Sequence, residues 1–375
     1  MIVQAAGVLS RIVLVGSMFM LLVACARDTP RPTAQFDAAY VAAQQGRVTI
    51  EIPEVYELAN IALAITPEGL NRPGLIEKEG LYYQRVLDHF LPYKDHPLIA
   101  TINYTDIRDY YGFRENSFAY SFEGDAITDG GQYANIRPPN LFAEHRALVE
   151  DFAKVSRFKE FYRANTTFYQ EQVDTYQVKI PIRNMWSWLE ERFPNRYNSY
   201  KIVFSPLIGG SHSTVRFTDN GLAETVMFVS GPERYGKPVS PAIEAGLLAR
   251  VVFTEIDHNY VNPVTETYKE QVDSAFSKLQ VWAAPEKTGL YPTSRSIFNE
   301  YMTWAVFILY IHDTEEPAVA QAVTDRTVEQ MVEMRGFVQF RSFSEQLLKL
   351  YREQKAGQTL VDVYPEILAW AEQQQ

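Results

Sequence analysis

One predicted helix carries the residues best placed to bind a metal and to move a proton. Glu255 and His258 lie three residues apart, and Thr254 precedes His258 by four. Side chains three or four residues apart share one face of a helix. Zinc-binding helices have histidines four apart, with a glutamate after the first that takes a proton from zinc-bound water. The pattern predicts Glu255 as a proton acceptor and His258 as a metal ligand, with a threonine in the position of the first ligand.

Two residues outside this helix could complete a ligand set. Glu300 stands at the head of an almost wholly apolar segment, Tyr301 to Ile311, and buried carboxylates are usually paired or metal-bound. The alternative is a glutamate in the first helical turn that faces solvent or is favoured by the helix dipole. His212 follows a pair of glycines, and we predict that it approaches His258 and replaces the missing ligand. The alternative is a solvated loop histidine.

The predicted metal is zinc, bound weakly. A threonine hydroxyl is a poor zinc ligand near neutral pH, so a site of only His258 and Glu300 should have low affinity. Asp257 could orient a ring nitrogen of a ligand, or could be a solvated helix residue. Gly209 and Gly210 could let a substrate backbone approach a strand edge, or could form a β-bulge.

The elements that must position these residues are a hairpin followed by helices. Strands are predicted at Tyr200 to Leu207, Thr214 to Thr218 and Thr225 to Val229, with Asp219-Asn220-Gly221 as a hairpin turn. Ser240 and Pro241 then begin the helix of Glu255, which we expect Pro263 to end. This order predicts an α+β, helix-rich fold whose small mixed or antiparallel sheet edges a cleft.

The N-terminal residues predict export and a lipid anchor. An apolar run from Ile12 to Ala24 is too short to span a bilayer comfortably and indicates a secretory signal. A small residue before Cys25 resembles a bacterial lipoprotein signal, in which this cysteine is lipidated after cleavage. An ordinary signal peptide with an incidental cysteine is the alternative. Ala26, rather than an aspartate, follows the cysteine, and by resemblance to proteobacterial sorting this favours the outer membrane.

These signals divide the chain into three predicted parts. Residues 1–24 are the signal peptide, 25–46 a tether, and 47–375 the domain, with lobes of about 47–195 and 196–375. Within the first lobe, Val48, Ile50 and Ile52 alternate as in a strand. Two long helices are predicted from Asn140 to about residue 177.

Composition excludes several classes of protein. The net charge is −11 and no basic run is present, which argues against a nucleic-acid partner. Cys25 is the only cysteine, so no intramolecular disulfide and no thiolate zinc site can form.

The chain resembles an uncharacterised group of secreted bacterial proteins of the gluzincin type. Their helix reads His-Glu-Phe-Ser-His-Ser-Phe-Val-Asn-Pro, and the matching residues here are Glu255, His258, Val261, Asn262 and Pro263. Further likeness lies in Asp95-His96-Pro97, in Ser205-Pro206-Leu207 and in Arg335-Gly336-Phe337. The resemblance implies a zincin-like fold, Glu255 as general base and Glu300 as third zinc ligand. It departs at Thr254, where the group has its first histidine.

Three functions remain open on these grounds. The first is a cell-envelope metallopeptidase with an altered metal set of His258, Glu300 and His212. The second is a pseudoenzyme, a non-catalytic lipoprotein that binds a peptide or a protein partner in the old cleft. The third is a structural lipoprotein anchored through Cys25, with no small-molecule site.

Overall fold

A four-stranded mixed sheet lies beside the helix that carries the candidate site. The computed structural model describes residues 32–232, 239–289 and 291–375. Its strands are β1 (Thr33–Ala34), β2 (Arg47–Glu51), β3 (Tyr120–Glu123), β4 (Ala126–Asp129), β5 (Tyr133–Asn135), β6 (Ser199–Ser205), β7 (Ser213–Asp219) and β8 (Leu222–Ser230). The strand order of the largest sheet is β2-β6-β8-β7, with β2, β6 and β8 parallel and β7 antiparallel to β8. Two smaller antiparallel pairs are β1 with β5 and β3 with β4.

Helices make up most of the remaining described chain. They are α1 (Ala38–Gln44), α2 (Glu54–Ala64), α3 (Pro67–Asn71), α4 (Leu81–Phe90), α5 (Pro97–Thr101), α6 (Ile107–Asn116), α7 (Leu141–Val155), α8 (Phe158–Ala164), α9 (Thr166–Lys179), α10 (Ile182–Arg192), α11 (Pro241–Thr267), α12 (Lys269–Ala275), α13 (Leu279–Trp282), α14 (Ser294–Thr314), α15 (Pro317–Glu329), α16 (Phe340–Arg352) and α17 (Leu360–Glu372). Short 3-10 turns lie at Leu91–Tyr93 and Ser117–Ala119, and a π-helical turn at Gln330–Met334. The fold is α+β, as predicted.

The predicted hairpin is confirmed at the edge of the sheet. Asn220 and Gly221 have φ values of 46° and 77°, which are the left-handed conformations that a two-residue hairpin turn requires. All seven residues of β6 are buried, which is typical of a strand with parallel neighbours on both sides. In the described residues β7 is the edge strand beside β8.

The helix of Glu255 is longer than predicted. Pro263 lies inside α11, which continues to Thr267. A proline leaves the carbonyl four residues earlier without its helical donor. That carbonyl belongs to Asn259, and it accepts hydrogen bonds from the Tyr197 hydroxyl at 2.7 Å and from Arg216 at 3.4 Å. Tertiary donors therefore replace the missing amide, and the helix passes through the proline.

Helix α14 is buried as predicted, but it begins earlier. Every residue from Glu300 to Ile311 is buried. The helix starts at Ser294, after the N-cap Thr293, so Glu300 lies in its second turn and not at its head. The solvent-facing alternative for this glutamate is therefore wrong.

The helical region after Asn140 contains three helices rather than two. Arg157 has a φ of 58°, a left-handed conformation that separates α7 from α8, and Asn165 separates α8 from α9. Neither break has a glycine or a proline, which are the residues that signal helix ends in a sequence.

Part of the predicted tether is packed against the domain. Phe36 is 4% exposed, and its amide donates to the Asp219 carboxylate at 2.6 Å. The Tyr40 hydroxyl donates to Glu224 at 2.9 Å. Residues 32–375 form one compact unit, and the parallel pairing of β2 with β6 joins the two predicted lobes.

The predicted signal peptide and the lipidation site Cys25 lie outside the described residues. Within the described residues, no helix has the length and apolarity needed to cross a membrane.

Candidate functional site

Helix α11 presents its candidate residues beside the edge strand. Its Asn259 side chain donates to the Thr214 hydroxyl of β7 at 3.0 Å, which ties the helix to the sheet. Thr254 on the same helix is buried, whereas Glu255 and His258 are partly exposed. A ligand that reaches this surface can therefore contact the glutamate and the histidine.

The structure brings His258 and Glu300 together from two different helices. The Nε2 atom of His258 lies 3.5 Å from Oε1 of Glu300. The opposite ring nitrogen, Nδ1, lies 3.2 Å from the Asn262 amide oxygen, one turn further along α11. The Nδ1–H group can donate to that amide oxygen, and in the protonated ring the Nε2–H group can donate to the Glu300 carboxylate.

Arg335 holds the other oxygen of Glu300. One guanidinium nitrogen donates to Oε2 at 2.7 Å and to the Tyr291 hydroxyl at 2.5 Å. The guanidinium carbon lies 4.6 Å from the centre of the Trp304 ring. Sequence reasoning gave neither Arg335 nor Tyr291 a role, although Arg335 was part of the family resemblance.

A tight turn places Arg335 in this position. The π-helical turn Gln330–Met334 ends directly before it, and the Arg335 amide donates to the Gln330 carbonyl at 3.0 Å. Gly336 follows with a φ of +78°, and a Cβ there would lie 2.8 Å from the Lys287 Cβ. A side chain at residue 336 would thus be both strained and obstructed, and π-helical turns are frequent at functional sites.

The surroundings of Glu255 raise the pKa of its carboxyl group. Loss of hydration raises the pKa of Glu255 to about 7; His258 opposes this rise and the charge of Glu300 adds to it. A carboxylate with a pKa near the working pH is suited to accept and return a proton.

Glu300 has the opposite behaviour. Burial alone would raise its pKa, but Arg335 and His258 outweigh burial and lower the pKa of Glu300 to about 2. Burial alone would lower the pKa of His258, but the hydrogen bond and the charge of Glu300 dominate, so that pKa is raised. Neighbouring charges therefore give the two glutamates of the site very different pKa values, high for Glu255 and low for Glu300.

Thr254 is engaged with its own helix. Its hydroxyl donates to the Arg250 carbonyl at 3.0 Å. Arg250 itself is buried. Its guanidinium carbon lies 5.2 Å from the centre of the Trp304 ring, which also contacts Arg335.

A second polar cluster lies near the same surface. Glu115 is fully buried and accepts from the Ser213 hydroxyl at 2.6 Å and from Arg137 at 2.5 Å. Its charge contributes to the raised pKa of Glu255. The neighbouring Arg114 donates to the Ser211 hydroxyl at 2.8 Å. No local pattern in the sequence marks these residues, because Arg114 and Glu115 come from α6, whereas Ser211 precedes β7 and Ser213 begins it.

A family match covers these elements. A family model described as a domain of unknown function, DUF4932, matches residues 129–370, which is more than half of the chain. The chain belongs to the DUF4932 family. No curated protein and no solved structure matches it. Glu255, His258, Glu300 and Arg335 all lie within the span of the DUF4932 domain, and Arg114 and Glu115 precede it.

The glycine pair of this DUF4932 protein, Gly209 and Gly210, contacts the backbone of residues 74–75. The amides of Gly209 and Gly210 donate to the carbonyls of Leu75 and Gly74, at 3.1 and 2.7 Å. A Cβ on Gly209 would lie 2.2 Å from the Gly74 oxygen. The close backbone approach that Gly209 permits is thus made by residues 74–75, and substrate contact by the pair stays a prediction.

His212 is partly buried, in the connection between β6 and β7. The predicted approach of His212 to His258 stays a prediction. Asp257, by contrast, is fully buried in α11, and burial raises the pKa of its carboxyl group well above the usual value. The solvated alternative for Asp257 is therefore wrong.

The donor atoms fit a zinc site only in part. Two zinc ligands at bond lengths of about 2.0–2.1 Å in a tetrahedron lie roughly 3.3–3.5 Å apart, which is close to the separation of His258 Nε2 and Glu300 Oε1. A catalytic zinc has three protein ligands, and the hydroxyl of Thr254 is already a donor to a carbonyl. Among the described residues, no group of three histidine, cysteine or acidic side chains is arranged to hold a metal ion. The described residues therefore do not fit the three-ligand set of a zincin.

Proposed function

We propose that this DUF4932 protein is a lipid-anchored protein of the bacterial cell envelope, with a metallopeptidase-like scaffold of the gluzincin type whose metal site is altered. One observation carries the proposal. His258 and Glu300 face each other from two helices at 3.5 Å, while the Thr254 hydroxyl is bonded within its own helix. In this proposal His258 and Glu300 keep the positions of two zinc ligands, and Thr254 replaces the histidine that would be the third.

In this proposal the surface formed by β7 and α11 binds a peptide, and peptide binding does not depend on zinc. Strand β7 is one of the two edge strands of the four-stranded sheet in the described residues, and it lies against α11 through Thr214 and Asn259. An extended peptide can add to such an edge through main-chain hydrogen bonds. The side chains of Glu255 and His258 would then lie beside the bound peptide. The anchor at Cys25 would keep this activity at the membrane, and the sorting signal favours the outer membrane.

A hydrolase with altered metal binding is the second candidate. The observation that favours it is the pKa of about 7 for Glu255, which suits a general base near neutral pH. A functioning enzyme of this kind would lose peptide hydrolysis when a chelator is added.

The test is to restore the missing ligand. In Thr254→His, the new imidazole lies one helical turn from His258, and the three donors of a zinc site are then present. We expect zinc affinity to rise by at least about tenfold over the wild type, because even residues that support a zinc ligand change affinity by that factor. Zinc affinity is measured by competition with a chromophoric chelator, and peptide hydrolysis is assayed on the same samples with and without chelator.

Thr267→His is the matched control on the same helix. Thr267 is exposed, and its hydroxyl also contacts the carbonyl four residues earlier, at 3.3 Å. This variant should bind zinc no better than the wild type. A folded Thr254→His protein whose zinc affinity equals that of the control would contradict the metallopeptidase-like scaffold. Chelator-sensitive hydrolysis by the wild type would favour the second candidate.

A further inference from the structure

The positively charged side chain of Arg335 lies against the Glu300 carboxylate. The guanidinium of Arg335 donates to Oε2 of this carboxylate at 2.7 Å. Its carbon lies 4.6 Å from the Trp304 ring, 5.3 Å from the Phe337 ring and 5.6 Å from the Tyr291 ring. The ion pair is therefore enclosed by aromatic side chains, where water screens it less than at an open surface.

The carboxylate needs a compensating cation. The Glu300 side chain is 10% exposed, and an ionised carboxylate at such a site is costly unless it is paired or bound to a metal. In a zincin the zinc ion provides that charge. Here Arg335 provides it, and the Glu300 carboxylate also faces His258.

We propose that Arg335 supplies to Glu300 the positive charge that zinc supplies in a zincin, so that His258, Glu300 and Arg335 form a metal-independent ion-pair network. This inference rests on the proposed function, because it assumes that the scaffold derives from a zinc site. It assigns Arg335 as a positioning residue, since it acts through Glu300. The loss of a histidine at 254 then separates this chain from a zinc-binding one, and Arg335 neutralises the carboxylate that remains.

The rival explanation is that Arg335 only orients Glu300. Residues that hydrogen-bond a metal ligand usually raise metal affinity, and their loss lowers it about 10–100-fold. A cation that substitutes for the metal has the opposite effect, because it repels the metal and competes for the carboxylate. The sign of the change in zinc affinity therefore distinguishes the two explanations.

The experiment compares Thr254→His with Thr254→His/Arg335→Gln in the full chain. We expect the double variant to bind zinc at least about tenfold more tightly, because a unit charge a few ångströms from a divalent ion repels it strongly in a poorly hydrated site. Affinity is measured with zinc alone against a chelator. Equal or weaker binding by the double variant would overturn the proposal.

Arg250→Gln in the same Thr254→His background is the matched control. Arg250 is also buried and lies over the same Trp304 ring, and its described side-chain hydrogen bonds go to Thr327 and Gln330. Its replacement should leave zinc affinity within about twofold of the single variant. An equal gain from Arg250→Gln would show that loosening of the helices, and not the charge on Glu300, controls zinc binding, and would also overturn the proposal.

A charge-conserving variant covers the case in which Arg335→Gln does not fold. In Thr254→His/Arg335→Lys the cation remains but the planar fork is lost. The proposal predicts zinc affinity close to that of Thr254→His, and a tenfold gain would overturn it. If folded Thr254→His binds zinc no better than the Thr267→His control, the proposed scaffold fails. If Thr254→His binds zinc and loses affinity with Arg335→Gln, only this inference fails.

Discussion

At the residue scale, neighbours decide what each carboxyl group of the site can do. Glu255 has a pKa of about 7 and Glu300 a pKa of about 2, although the charge of His258 acts on both. Arg335 donates to Glu300 and not to Glu255. Two titratable groups whose environments separate their pKa values in this way are typical of an acid or base beside a permanently charged group.

A third glutamate, in the core, gives a test of pH dependence. Burial raises the pKa of Glu57 from 4.5 to about 8, and its hydrogen bonds to Tyr82 and Ser205 only partly oppose this. The folded state then holds a proton that the unfolded state has released, so the stability contributed by this residue falls as the pH rises from 4.5 to 8. We expect Glu57→Gln to remove that fall, with a relative gain of roughly 1–3 kcal/mol at pH 8 over pH 5.

The measurement is the free energy of urea unfolding of both proteins at pH 5, 6, 7 and 8. Glu353→Gln, at an exposed position, serves as the control and should change stability by less than about 0.5 kcal/mol at every pH. A difference between Glu57→Gln and the wild type that does not depend on pH would contradict the raised pKa of Glu57.

At the element scale, α11 depends on tertiary donors at its proline. The Asn259 carbonyl, which Pro263 leaves without a helical donor, accepts from Tyr197 at 2.7 Å. Tyr197→Phe removes this bond and should cost about 1 kcal/mol. In a Pro263→Ala background the new amide can donate to the same carbonyl, so the cost of Tyr197→Phe should fall by at least about half.

A double-mutant cycle in urea measures this coupling. If the cost of Tyr197→Phe is the same with proline and with alanine at 263, the Tyr197 hydroxyl does not substitute for the missing amide, and another cause must carry the helix past the proline.

At the scale of the whole molecule, the N-terminal segment belongs to the fold. The Glu224 carboxylate is buried and accepts hydrogen bonds from Tyr40, Tyr133 and Ser199. Phe36 is also buried against the domain. These contacts connect the chain that follows the predicted anchor to the β7–β8 hairpin.

A chain that begins at residue 47 should therefore be less stable than one that begins at residue 32. Truncation exposes the site of Phe36 and removes one partner of a buried carboxylate, and we expect a loss of at least about 3 kcal/mol. Urea unfolding of the two chains measures it. Equal stability would indicate that residues 32–46 behave as the tether that the sequence predicted.

The features that could be predicted from the sequence depend on residues that are close together in the chain. The spacing of Glu255 and His258 places both on one face because a helix repeats every 3.6 residues, and the hairpin turn follows from the left-handed conformations of Asn220 and Gly221. The breaks at Arg157 and Asn165 could not be predicted, because no glycine or proline marks them.

By itself, the sequence determined the α+β class, the buried helix and the candidate helix face, because these depend on periodicity and turn chemistry. Only the tertiary structure decided that Arg335 pairs with Glu300, that Pro263 lies within a helix, and that Tyr40 reaches Glu224. Each of these depends on residues 35 to 184 positions apart or on donors from another element. The physical reason is that burial and the partner of a polar group are properties of the packed chain, whereas helical and strand periodicity are properties of the local one.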